Sequence, residues 1–184
     1  VRLGTKFDYY YFEREAGEKG LDVAKDLLRQ HIFEESDGAI VFRAEKYGLH
    51  TRVFVNSQGL PTYESKDLGL ALTKYADYSY DTSIIVTDNE VDDYFKVVLK
   101  ALYLTHPELA LRTRHISHGQ LRLKSGKMSS RTGKVIAGDT LMNMVQSEEL
   151  TKMENADENS SLLRSITAIK YGILKNSIGM NITY

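Results

Sequence analysis

Ser83-Ile84-Ile85-Val86-Thr87 sets three β-branched residues in an unbroken apolar run. That run predicts a short strand covered on both faces, as in a parallel sheet. Helical patterns flank it on both sides. Asp92 to Leu104 reads as a helix, and Pro61 to Tyr75 as a loop entering one, with Leu68, Leu70, Ala71 and Leu72 as its apolar positions. Further upstream, Leu21, Ala24, Leu27 and Leu28 form the apolar stripe of an amphipathic helix over 21–30. Asp37-Gly38 is a turn signal before a strand over 39–43, and a second strand over 52–56 closes on Ser57-Gln58-Gly59. Downstream, 114–123 reads as a strand pair or strand–turn. Asp139-Thr140 is read as a cap for a helix through Gln146, followed by a polar, acidic linker over 147–160 and a helix over 161–176. Alternating strands and helices point to α/β architecture with a parallel sheet.

With 184 residues and 42% hydrophobic content, the chain can bury a core as one domain plus an appendage. The absence of Cys excludes a disulfide framework, a thiol nucleophile and a thiolate metal site, and fits a reducing compartment. The five His residues form no ligand pair with a carboxylate at helical spacing. His115 and His118 lie in an expected strand and would face opposite sides. No metal site and no membrane association are therefore expected, nor is there a signal-peptide pattern. Val1 in place of Met suggests a piece excised from a longer protein.

Charge is unevenly spread. The formal net charge is only -1, yet no acidic residue lies between Glu108 and Asp139, where Arg112, Arg114, Arg122, Lys124, Lys127, Arg131 and Lys134 accumulate. Within this basic tract, Gly126-Lys127-Met128-Ser129-Ser130-Arg131-Thr132-Gly133 sets two cations and three hydroxyls between glycines. Such a segment is suited to gripping a polyphosphate and stabilising charge that moves to a leaving group. A solvated basic loop is the plainer reading, and the one-sided charge around it argues for an anion.

Ligands of α/β sheets bind beyond the carboxyl ends of strands. Three segments fall there: Thr62-Tyr63 to Asp67, Thr87 to Asp93, and the basic loop. Tyr63 and Asp67 lie one helical turn apart, so the carboxylate can hold a cation on which the phenol stacks. Asp67 as a helix-start residue satisfying free N–H groups is an equal alternative. For Asp88, Asn89, Glu90, Asp92 and Asp93, capping and first-turn roles are the ordinary reading.

Gly126-Lys127-Met128-Ser129-Ser130 resembles the KMSK signature of class I aminoacyl-tRNA synthetases. Leu60-Pro61-Thr62-Tyr63 with Lys66-Asp67-Leu68-Gly69-Leu70-Ala71 resembles the segment of arginyl-tRNA synthetases that binds the amino acid. Phe7-Asp8, Phe12-Glu13 and Asp37-Gly38-Ala39-Ile40-Val41-Phe42 are similar to that family's insertion in the catalytic domain. Asn89-Glu90 with Tyr94-Phe95, and Ala168-Ile169-Lys170-Tyr171, fit the same family. The resemblance runs in order through nearly the whole chain.

The resemblance implies the C-terminal half of a Rossmann-type parallel-sheet catalytic domain, with a small β-containing insertion and trailing α-helices. On that basis residues 1–140 belong to the catalytic domain, with the insertion over about 1–58 and the second Rossmann half over about 59–140. Residues 141–184 form a helical segment leading towards the tRNA-binding region. The implied reaction is arginine activation by ATP, with Mg2+ accompanying the nucleotide, and transfer of the arginyl group to tRNA(Arg) in the cytoplasm. Carried over by motif, Tyr63 and Asp67 contact arginine. Lys127 and Ser129 are the catalytic pair of the loop, and Lys127, Met128, Ser129 and Ser130 bind ATP. Asn89, Glu90, Lys124 and Arg131 are further candidates. Two positions depart from the pattern: Ser130 stands where KMSK has its second lysine, and Val91 where many members place a glutamine. The HIGH signature is not found, since His31-Ile32-Phe33-Glu34 only superficially resembles it. The chain alone is expected neither to form adenylate nor to charge tRNA. A non-catalytic synthetase-like binding module is the alternative, to be separated by reading the parent sequence upstream of Val1 for a HIGH motif.

Overall fold

The computed structural model describes residues 3–122, 137–152 and 157–183. They divide into two compact units, one of residues 7–117 and one of the described residues from 118 onward with residues 3–6.

In the first unit, α1 (Glu13–Arg29) buries Ala24 and Leu27 of the expected stripe together with Val23, while Leu21 and Leu28 are partly buried. It begins a full two turns before the expected Leu21, because Ala16, Gly17 and Gly20 extend the buried face with small residues that a hydrophobicity pattern does not register. His31 stops the helix in the left-handed region (φ 57°), and the N–H groups of Ile32 and Phe33 both donate to the Leu27 carbonyl. The segment that superficially resembles a HIGH motif is thus a helix stop followed by a buried core phenylalanine.

β1 (Glu34–Ser36), β2 (Ala39–Phe42) and β3 (Arg52–Val55) form an antiparallel sheet in that order. Asp37 and Gly38, both at positive φ, make the two-residue turn between β1 and β2. Phe33, Phe42 and Phe54 meet beneath the sheet with centroids 4.4 to 6.3 Å apart. The same core takes in Val23 and Leu27 of α1, Leu68 of α2 (Tyr63–Asp77), and Val97 and Leu102 of α3 (Asp92–Thr105). It is therefore continuous across residue 58, where the resemblance places the end of an insertion.

The start of α2 is bolted to β3. Thr62 donates to the carbonyls of Val53 and Phe54 at 2.7 and 3.0 Å, and buried Ser65 donates to Phe54 at 2.5 Å. Close approach of α1 and α2 rests on Gly20 and Gly69, which face the other helix's backbone directly.

β4 (Ser83–Asp88) pairs with β5 (Thr113–His118) and is joined to it through α3 and the short α4 (Pro107–Arg112). Contrary to expectation, β4 is not covered on both faces: Ile84 is 56% and Val86 62% exposed. An apolar run marks a strand fit for burial, but a second layer has to be supplied by other elements.

In the second unit, β6 (Leu121–Arg122) and β7 (Ile182–Thr183) pair in parallel. The expected acidic linker is largely helical. α5 (Gly138–Lys152) runs well past Gln146, and Asp157 caps α6 (Glu158–Leu174) by accepting from the Ser160 N–H at 3.0 Å. Asp139 lies in the first turn of α5 rather than capping it. Glutamate-rich stretches have good helix propensity, which polarity alone misread as linker.

Candidate functional site

An open cleft of about 570 Å3 lies at the carboxyl end of β4, beside the first turns of α2 and α3. Arg52 of β3, Tyr63, Glu64 and Asp67 of α2, and Asp88 and Tyr94 provide its polar wall, with Ile85, Val91 and Phe95 as the apolar part. Because α2 begins at Tyr63, Asp67 stands one turn inside the helix and on the same side as Tyr63. The capping alternative for Asp67 is thereby excluded: the N-cap position belongs to Thr62. Asp88 does cap, accepting from the Glu90 N–H at 2.8 Å.

Asp67 is half-buried and accepts a 2.5 Å hydrogen bond from the Tyr94 hydroxyl. Burial pushes its carboxyl above the ordinary range, against the opposing pull of the Tyr94 hydrogen bond and the charge of Lys74. The same desolvation, with the neighbouring Asp67 carboxylate, pushes the Tyr94 phenol strongly up, so it stays a donor. Replacing Tyr94 with Phe removes that donor, and the Asp67 carboxyl is then expected to titrate at higher pH than in the parent protein. Carboxyl-detected NMR titration checks this; an unchanged midpoint would show that the hydrogen bond does not hold Asp67.

Tyr63 is 64% exposed, and the Lys66 ammonium lies 4.6 Å from its ring centroid while also pairing with Glu13 at 2.7 Å. Behind the cleft, Thr87 and His115 share a 2.7 Å hydrogen bond, the His115 ring stacks on Phe95 at 4.2 Å, and its Nδ1 lies 3.7 Å from Asp92. This packing ties β4, β5 and α3 together beneath the wall.

Tyr63 and Asp67 are thus brought to one cleft. Asn89 and Glu90 sit on the short 3-10 turn after β4 and are not among its lining residues. Val91 is, where it supplies an aliphatic surface with no donor or acceptor. Lys124, Lys127, Met128, Ser129, Ser130 and Arg131 lie outside the described residues. Residue patterns alone did not point to Arg52 or Glu64: Arg52 comes from a different strand, and Glu64 reads as an ordinary first-turn acid. A second hollow, of about 530 Å3 between α5 and α6, is lined mainly by aliphatic groups such as Leu141, Val145, Ile169 and Ile173. Glu148 and Glu149 line it as well, beside Lys175. Among the described residues, no helix is long and apolar enough to cross a membrane, and no group of three or more His, Asp or Glu side chains could hold a metal ion.

Residues 16–180 match the family model for tRNA synthetases class I (R), catalytic domain. The chain belongs to this family. It is 35% identical over 154 residues to an arginine–tRNA ligase of Treponema denticola, covering 83% of this chain and 26% of that protein. Similarity to the arginine–tRNA ligase of Bacteroides thetaiotaomicron extends over all of this chain at 31% identity, and over 32% of the relative. The fold matches the arginyl-tRNA synthetase of Thermus thermophilus with a TM-score of 0.76 at 20% identity, covering 100% of this chain and 38% of that one. The Plasmodium falciparum enzyme matches equally well, with a TM-score of 0.76 at 19% identity and 32% of its chain covered. This synthetase-family chain therefore has the mixed α/β fold expected of it, and spans between a quarter and a third of the curated relatives cited.

Proposed function

We propose that the chain is the part of an arginine–tRNA ligase that holds the side chain of arginine and, through its KMSK-like loop, the phosphates of ATP. The observation that carries the first half is the carboxylate of Asp67, fixed by Tyr94 one helical turn from Tyr63, at the carboxyl end of β4. A planar five-donor cation suits a carboxylate flanked by aromatic faces. Glu64 and Asp88 add negative potential around it.

The reaction is attack of the arginine carboxylate on the α-phosphorus of ATP, releasing pyrophosphate, followed by transfer of the arginyl group to tRNA(Arg). Lys127 and Ser129 stabilise the charge that gathers on the departing pyrophosphate. Met128 and Ser130 contribute to the same grip, with Lys124 and Arg131 close along the chain to offset the missing second lysine. Mg2+ accompanies the nucleotide, and residues 141–184 lead from the second half of the catalytic domain towards the tRNA-binding region. The setting is the cytoplasm.

The test is arginine-dependent pyrophosphate exchange. The full-length ligase is expected to show it, and the 184-residue chain, which carries no HIGH sequence, to show none. Asp67 must be ionised to bind a guanidinium, and its carboxyl titrates above the ordinary range. Arginine affinity in the full-length protein is therefore expected to rise with pH through that raised midpoint and to decline below it. Affinity flat across about pH 4 to 7, the range above ordinary carboxyl values, would contradict the assignment.

A further inference from the structure

Arg52 brings a guanidinium of the chain's own into the cleft. Its Nη1 lies 3.7 Å from Oε1 of Glu64, and its Cζ lies 5.7 Å from the centroid of the Tyr94 ring. Tyr94 is the same residue whose hydroxyl donates to Asp67. The internal guanidinium thus engages an α2 carboxylate and an aromatic face, the two kinds of group that the cleft offers a substrate guanidinium.

The contact has the character of a contact that can be exchanged. At 3.7 Å it is an ion pair without the parallel, forked hydrogen bonds of a bidentate Arg–carboxylate pair. The partners are also unequal: the Glu64 side chain is 12% exposed and that of Arg52 36%. Glu64 is held by the wall of the cleft, whereas Arg52 reaches it on a long flexible stem from β3 and can turn to solvent without moving the strand.

We propose that Arg52 is a built-in competitor for the cleft, an internal guanidinium that occupies Glu64 and the Tyr94 face until a substrate guanidinium displaces it. The proposal rests on the reading of this cleft as the arginine site. A ligand must then exceed what Arg52 already makes. Arginine can do so, because it also reaches Asp67. A lysine ammonium, a point charge with no plane to stack, replaces the Arg52 contacts poorly. Competition lowers apparent affinity by the fraction of molecules in which the cleft is open, by the same factor for every ligand that needs Arg52 displaced.

The experiment is calorimetric titration of arginine and of lysine into the full-length protein carrying Arg52→Met, which keeps the stem and removes the charge. Arginine is expected to bind roughly three- to tenfold more tightly, the range set by releasing a partly exposed ion pair and one nearby positive charge. Lysine, which meets the same closed fraction, is expected to gain by the same factor, so the ratio between the two is expected to hold. Arg52→Gln, read in the same way, keeps the test intact should the methionine variant fail to fold. Unchanged or weaker arginine binding in both variants would overturn the proposal and make Arg52 a support of the pocket. Asp67→Asn separates the two ideas. If it leaves arginine affinity unmoved, the cleft is not the arginine site. If it weakens binding while neither Arg52 variant tightens it, only the competitor role fails.

Discussion

Replacing Gly69 with alanine is expected to destabilise the 7–117 unit by about 3 kcal/mol or more, the upper range for forcing a group into packed space. A Cβ at Gly69 would lie 2.2 Å from the Ala16 carbonyl oxygen and 2.5 Å from the Gly20 nitrogen. At Gly20 it would lie 1.9 Å from the Ser65 carbonyl oxygen. These neighbours are backbone atoms, so no side-chain rotation relieves the overlap. The helices must separate by about 1 Å or more to restore contacts of roughly 3.5 Å. Helix propensity acts in the opposite direction, since alanine in place of an interior glycine favours a helix by about 1 kcal/mol. The two effects differ in sign and the contact is the larger, so the observed sign is informative. Thermal denaturation should show a fall in Tm of roughly 10 to 20 °C. Gly48→Ala is the control: Gly48 has φ of 72° but nothing within 4 Å of an added Cβ. It should therefore cost only the left-handed conformation, about 1 to 2 kcal/mol. A Gly69 variant as stable as the parent would show that α1 and α2 are not in backbone contact.

Asp67→Asn is the second large expectation. The substitution keeps the shape and removes the charge that a bound guanidinium would pair with. Losing one partner of a desolvated charge pair costs about 2 to 4 kcal/mol, so arginine should bind about thirty- to several-hundred-fold more weakly. Stability should move the other way. Burial already disfavours the ionised carboxyl, so the folded state loses stability as pH rises through the raised midpoint of Asp67. Asparagine, uncharged at all pH values, is therefore expected to leave the fold at neutral pH as stable as the parent or more so. Weakened binding with undiminished stability is the signature of a group held for a ligand. Arginine affinity within about threefold of the parent, well under the expected loss, would remove Asp67 from the site.

The two expectations are linked through α2. Gly69 sets how closely that helix lies on α1, and Thr62 and Ser65 fasten its start to β3. Tyr63 and Asp67 ride on the same helix, so their positions depend on a contact made on its opposite side.

Much of the local structure was readable from residue order. Apolar spacing located α1, α2 and α3, Asp37-Gly38 located the hairpin turn, and Ile84-Ile85-Val86 located a strand. These are signals carried by neighbours three, four or two positions apart, where backbone geometry alone dictates which side chains share a face. The pairing of Tyr63 with Asp67 along one helix belongs to this class, and the motifs of the basic loop were visible in the same way.

Other features needed chain segments far apart in sequence to meet. Tyr94 reaches Asp67 across 27 positions, and Arg52 enters the cleft from β3. No periodicity encodes such contacts, because they depend on how α2, α3 and the three-stranded sheet close on a single core. For the same reason the open face of β4 could not be foreseen: an apolar run records what a strand tolerates, while neighbouring elements determine what covers it. Residue order alone located most of the elements, though neither the start of α1 nor the end of α5, and it carried the family resemblance. Packing settled that Asp67 is half-buried and held by a phenol, and that a guanidinium from the same chain pairs with Glu64 in the same cleft, since desolvation and charge at a point are sums over everything folded around it.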